Sequence, residues 1–167
     1  MNDKLLFFIA ATLVATPCHA DISASSRTQF TGMITVATCN IVVGDDNQTV
    51  NMGEISSAEL DTKGTSSPIP FTLNLYGCDS ENKHVRIAFD RTGTGASGNV
   101  ISVDGVSGVA LGLLDSDGSP LYFGRKSVGQ KIKKGNNVLL YSAYMAKTGP
   151  ISPGSFSRLL HYTLYYD

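Results

Sequence analysis

Apolar and polar residues alternate along most of this chain in short runs at period two, broken by turn-forming residues, which is the signature of half-buried strands. Phe71, Leu73 and Leu75 share one parity within Pro70–Tyr76, and Val85, Ile87 and Phe89 share one within His84–Asp90. Further strands are expected at Gln29–Thr38, Gln48–Met52, Val100–Val103, Val109–Leu114, Leu121–Phe123 and Val138–Met145, with Gly149–Ser155 as the last turn. Residues 91–99, rich in Gly, Thr and Ser, read as a loop. The final stretch, Arg158–Asp167, puts Leu160, Tyr162, Leu164 and Tyr166 on one face and Leu159, His161, Thr163 and Tyr165 on the other. Nothing follows it in this sequence, so its second neighbour is expected from elsewhere in the fold or from another molecule, because an open apolar edge promotes aggregation. No stretch shows sustained helical periodicity. Many short strands at this spacing predict an all-β antiparallel sandwich.

The N-terminus carries a different pattern. Lys4 precedes the apolar run Leu5–Val14, Pro17 breaks it, and Cys18 and Ala20 stand at the −3 and −1 positions of a signal-peptidase site. Residues 1–20 are therefore expected to be a cleaved secretory signal with Asp21 as the new N-terminus. The run is shorter than the ~20 residues of a membrane anchor. Thr16 and Pro17 argue against lipoprotein processing at Cys18.

Cleavage removes one of the 3 cysteines and leaves Cys39 and Cys78. In an oxidising compartment these two are expected to pair. A free thiol pair or a metal site with His84 and His161 is the competing reading, and a structural site usually needs four such ligands. Net charge is −1 with no division into acidic and basic halves, so nothing points to nucleic acid. The remaining chain is one domain in size.

Chemistry-bearing motifs are few. Asp115-Ser116-Asp117-Gly118 starts like a calcium loop but lacks its closing Glu, and Asp-Gly favours a hairpin turn. The tract Arg125, Lys126, Lys131, Lys133 and Lys134 suits either an anionic surface or glycan, or a solvated edge strand protected by lysines. There is no GxSxG elbow, phosphate loop, HExxH or CxxC, so no enzyme and no cofactor is expected. Asn47-Gln48-Thr49 has the form of a glycosylation sequon, which matters only in a eukaryotic secretory pathway.

Four sequence features together resemble pilin-type fimbrial subunits of the chaperone–usher pathway, of the type 1 fimbria kind, over Phe30–Asp167. They are Gly32 set seven residues before Cys39, the FTLNLYGC run Phe71–Cys78, the GVALGLLDSDGSPL run Gly108–Leu121, and the YSAYMAKTGPISPGSFS run Tyr141–Ser157. Tyr166, next to the end, completes the pattern. The resemblance implies an incomplete immunoglobulin-like β-sandwich lacking its final strand, completed in trans by donor-strand complementation. It implies a signal peptide (1–20), an N-terminal extension (21–35) and a pilin domain (36–167). In the extension, Ser26, Thr28, Phe30, Gly32 and Ile34 are the donor positions. Only Phe30 and Ile34 among them are large and apolar, so a weak donor, as in a minor or specialised subunit, is expected. Leu160, Tyr162, Leu164 and Tyr166 form the face that meets the incoming strand.

The implied partners are a periplasmic chaperone, an outer-membrane usher and neighbouring subunits, with a host receptor reached through the fibre. The implied location is a bacterial surface fimbria reached through the periplasm. The alternative reading is a single-domain fimbrial adhesin or a self-contained secreted immunoglobulin-like binding module.

Overall fold

The computed structural model describes residue 29 and residues 38–79, 81, 83–91 and 98–167. The expected signal peptide, the donor positions Ser26, Thr28, Phe30, Gly32 and Ile34, and the Gln29–Thr38 strand apart from its two end residues lie outside this set. In chain order the elements are β1 (Asn40–Ile41), a 3-10 turn (Asp45–Asn47), α1 (Ser57–Lys63), β2 (Ile69–Cys78), β3 (His84–Phe89) and β4 (Val100–Ser102). They continue with β5 (Ser107–Leu114), β6 (Gln130–Lys131), β7 (Gly135–Ser152) and β8 (Tyr162–Tyr166). The described strands form two antiparallel sheets, one ordered β1-β2-β7-β5-β4 and the other β6-β3-β8.

Parity along each strand decides what faces the core. Leu73 and Leu75 of β2, Leu111 and Leu113 of β5, and Leu139 and Tyr141 of β7 point inward from the larger sheet. Val85, Ile87 and Phe89 of β3 meet them from the smaller one. Tyr141, fully buried, sits between Phe71 and Phe89 with ring centroids 5.8 and 6.5 Å away. Rings at these separations add to the area they bury.

Cys39 and Cys78 are joined by a disulfide, with Cα atoms 4.1 Å apart, tying the entrance to β1 to the end of β2. This excludes the free-thiol and metal readings of the pair.

Several sequence expectations change. The turn expected at Gly149–Ser155 begins later, because β7 runs on to Ser152 by pairing Ser152 with Ser107 across a bulge in β5. Gly108 makes that bulge with φ +76, and a Cβ there would overlap the Pro150 carbonyl. Leu121–Phe123 is not a strand: Leu121 and Phe123 are buried as anchors of a turn-rich segment, and only Pro120 bridges Leu114.

Residues 48–56 form no element and take no place in a ladder, so the Gln48–Met52 strand is not formed either. α1, unexpected from periodicity, starts after Ser56 and ends where Gly64, at φ +77, donates its N–H to the Leu60 carbonyl. Asp115–Ser119 forms the hairpin turn expected of Asp-Gly, with the Gly118 N–H donating to the Asp115 carbonyl at 2.9 Å.

Candidate strand-acceptor groove

One edge of the smaller sheet has no partner strand among the described residues. β8 is paired with β3 in the register Val85↔Tyr166 to Phe89↔Tyr162 and with no other described strand. His84 and Asp167 exchange both backbone hydrogen bonds, and Asp90 donates to the His161 carbonyl. Antiparallel pairs alternate, so residues 161, 163, 165 and 167 direct their backbone groups to β3. Tyr162, Leu164 and Tyr166 direct theirs to the other edge, and their side chains lean onto the core.

Beside that edge lies a groove of ≈ 1570 Å³. Its floor is apolar, built from Phe71, Leu73, Phe89, Leu111, Leu113 and Met145. One rim is the unladdered segment 46–55 and the other is 151–162. The first rim takes no place in a ladder among the described residues, whereas the second is tied at Ser152 to Ser107, at Ser157 to Asp104 and at Tyr162 to Phe89. The backbone groups left between such ties tolerate burial poorly once water is excluded. Met52 and Ile55 on the first rim, and Ile151 and Phe156 on the second, rest half-buried against the core.

Leu160 and Tyr162 line this groove, whereas Leu164 and Tyr166 pack on the core beyond its lining. The expected Arg158–Asp167 strand is shorter than its pattern suggests: β8 begins at Tyr162, where pairing with β3 begins. Upstream of it the same even-numbered alternation still runs inward, through Leu160 and Arg158 to Phe156. That parity was readable in the sequence and identifies Phe156 as a groove residue. The opposite rim carried no comparable signal, since its position depends on contacts distant in sequence. His161 is exposed on the outward parity, and His84 is exposed at the start of β3. Among the described residues no group of three His, Cys, Asp or Glu side chains is placed to hold a metal.

One end of the groove is clasped. The Tyr162 hydroxyl donates to the Asp45 carbonyl at 3.0 Å, linking β8 to the 3-10 turn. Burial, reinforced by the charges of Asp46 and Asp45, raises the Tyr162 pKa; burial also raises those of Tyr166, Tyr144 and Tyr141, the last with help from Asp115. A raised phenol pKa stabilises the fold fully below the unfolded value near 10 and loses that contribution as pH rises through the folded value. Stability is therefore expected to be insensitive to these groups at neutral pH and to fall above about pH 10. Tyr162→Phe is expected to cost about 1 kcal/mol at neutral pH and to make the alkaline fall shallower. Urea unfolding at neutral and alkaline pH checks this, and an unchanged alkaline slope in the variant would remove Tyr162 from the explanation.

An apolar slot beside a strand edge that has no partner among the described residues, and a disulfide at the head of the domain, are features of a recognisable protein class. The sequence profile described as "Fimbrial protein" matches residues 28–167. The chain belongs to the fimbrial protein family. The subunit is 30% identical to a Fimbria A protein of Serratia marcescens, over 100% of this chain and 99% of the relative. It is also 30% identical to the Major MR/P fimbria protein of Proteus mirabilis, over 98% of this chain and 96% of the relative.

Among solved structures, the fimbrial subunit superposes on the P pilus rod subunit with a TM-score of 0.70 and 23% identity, covering 78% of this chain and 100% of that one. A chaperone–usher pilus subunit gives a TM-score of 0.72 at 23% identity, over 86% of this chain and 96% of that one. The fold is the incomplete immunoglobulin-like sandwich of pilins, and the protein is a structural subunit of a surface fimbria, exported through the periplasm. Fimbrial subunits of this family are structural proteins.

Proposed function

We propose that the groove beside β8 receives an extended strand from a neighbouring fimbrial subunit, and that residues 21–35 of this chain make the same contribution to the next one. The observation that carries the reading is an apolar floor running up to a strand edge, at Tyr162, Leu164 and Tyr166, whose backbone groups have no ladder partner among the described residues. The smaller sheet is antiparallel throughout, so a strand laid antiparallel to β8 extends it as a fourth member. Residues opposite Tyr162 and Leu164 then point inward, as directly opposed residues share a face. Alternate residues of a donor, Ser26, Thr28, Phe30, Gly32 and Ile34 in this chain, are the ones that enter.

The same physics assigns the earlier steps. Before assembly a periplasmic chaperone covers the groove with a strand of its own, which keeps the edge from aggregating. An outer-membrane usher then hands the subunit to the fibre. The division of labour is a removed signal at 1–20, a donor at 21–35 and an accepting body at 36–167. The sparse apolar content of the donor suits a subunit that inserts more weakly than a main-shaft component.

Deletion of residues 21–35 tests the division. The truncated chain, exported behind its own signal, is expected to remain an acceptor but to add no subunit behind itself. Electrophoresis of unheated fibres should then show loss of the high-mass ladder. A truncated chain that still builds the full ladder would place the donor elsewhere.

A further inference from the structure

The carboxylates of this chain are unevenly placed. Between Asp117 and Asp167 the sequence has no Asp or Glu, while the same stretch carries seven Lys and Arg residues. The absence of charge segregation expected from the net charge thus fails for this part of the chain. Two of the seven are neutralised across the fold, Lys147 by Asp61 at 2.7 Å and Arg158 by Asp104 at 4.0 Å. The other five, Arg125, Lys126, Lys131, Lys133 and Lys134, are exposed, and none has an ion pair among the described residues.

Those five follow one edge of the smaller sheet. Gly124 donates to the Phe89 carbonyl, Ser127 to Ile87 and Ile132 to Lys83, with β6 paired to His84 and Val85. The segment therefore runs beside the whole length of β3, about 20 Å at strand rise. β3 separates its backbone from β8, and the Lys126 side chain crosses the outward face of β3 to Tyr165 of β8, on the exposed parity away from the groove. A strand seated against β8 leaves it open.

Two of the cations are held against aromatic rings. The Lys126 ammonium lies 3.9 Å from the centroid of Tyr165, and the Arg125 guanidinium 5.6 Å from that of Tyr122. Both rings stay partly exposed, at 38% and 46%. Ring contact restrains long side chains that are otherwise free, and leaves a flat apolar surface beside each charge.

We infer that this edge is a binding ridge for an extended anionic polysaccharide, one bearing sulfate or uronate groups along a linear chain. A line of unneutralised cations about 20 Å long attracts a polyanion through the summed field and through release of its counterions. Partly exposed tyrosines beside the charges supply faces on which sugar rings stack. A lipid surface fits less well: Val128, 67% exposed, is the large aliphatic side chain the ridge presents, too little for insertion. Lysines that merely guard a sheet edge against pairing require no such ligand, and the experiment separates the two.

The test uses fimbriae assembled from the full chain, wild type or the K126Q/K131Q/K133Q variant, passed over immobilised heparin. Wild-type fibres are expected to bind, to be released by raised salt, and to be competed off by dextran sulfate but not by dextran. The triple variant should bind at least about tenfold more weakly. K63Q, which removes a cation paired with Glu59 on α1, should bind as wild type does.

Failure of wild-type fibres to bind heparin, or equal binding by the triple variant, overturns the proposal in favour of edge protection. Retention on phosphatidylserine-containing vesicles without retention on heparin overturns it in favour of a membrane surface. If the variant yields no fibres, the competition and salt dependence of the wild type still decide. Ladder formation in the same preparations reports separately on strand exchange.

Discussion

A donor strand fused after Asp167 through a flexible linker should convert the oxidised mature chain from a weakly stable, aggregation-prone species into one that melts cooperatively and much higher. The linker makes insertion intramolecular, so the groove is filled at high effective concentration. Each large apolar side chain moved from water to the groove floor contributes about 1.5 to 3 kcal/mol. The chain's own residues 21–35 bring two such side chains to the alternate positions, Phe30 and Ile34, hence about 3 to 6 kcal/mol. At roughly 2 to 4 °C per kcal/mol for a domain of this size, the melting temperature should rise by about 10 to 20 °C. A donor with large apolar residues at all alternate positions should raise it roughly twice as far. Circular-dichroism melting of the bare chain and both fusions measures this. A bare chain that is already a stable monomer and gains nothing from either donor would sink the missing-strand mechanism. Equal gains from the two donors would sink only the weak-donor reading.

Loss of the Cys39–Cys78 bridge is the second large effect. The two cysteines are 39 residues apart in sequence, and on the chain-entropy model closing that loop destabilises the unfolded chain by about 4 kcal/mol. Both residues are almost fully buried, and the Asn137 amide donates to the Cys78 sulfur at 3.2 Å. Position matters as much as magnitude. The Asp79 N–H donates to the Thr38 carbonyl beside the bridge, so the disulfide fastens the entrance to β1 onto the end of β2. The double variant C39S/C78S is expected to leave the bare chain unfolded and to lower the urea midpoint of the strand-fused form by the equivalent of about 4 kcal/mol. Coincident midpoints for the fused oxidised chain and the fused double variant would show that the bridge adds nothing to the complete fold.

Both effects trace back to residues whose roles differed in how openly the sequence displayed them. Val85, Ile87 and Phe89, like Leu73 and Leu75, were readable as core because a strand buried on one face repeats every second residue. The same rule placed Leu160, Tyr162, Leu164 and Tyr166 on one inward face, and the structure keeps that parity. α1 escaped because seven residues are too short for sustained periodicity, although Ser56 before it, Glu59 three residues later and Gly64 after it are the local signals that bound a helix. The cationic ridge escaped because net charge averages over the chain, while the run without carboxylates from 118 to 166 is a matter of order.

The sequence by itself determined the strand parities, the cysteine pair and the family pattern, because side-chain alternation and motif spacing are local properties. Which backbone edges find partners was decided by tertiary structure. Residues 48–52 and 121–123 look like strands yet enter no ladder, while Gly149 and Pro150, which look like a turn, lie within β7. Partners in a sheet come from segments distant in the chain, and only the assembled sandwich shows that the strand due beside β8 is missing from the described fold. The groove follows from that: its floor was legible as core, and the edge left without a partner among the described residues was a property of topology.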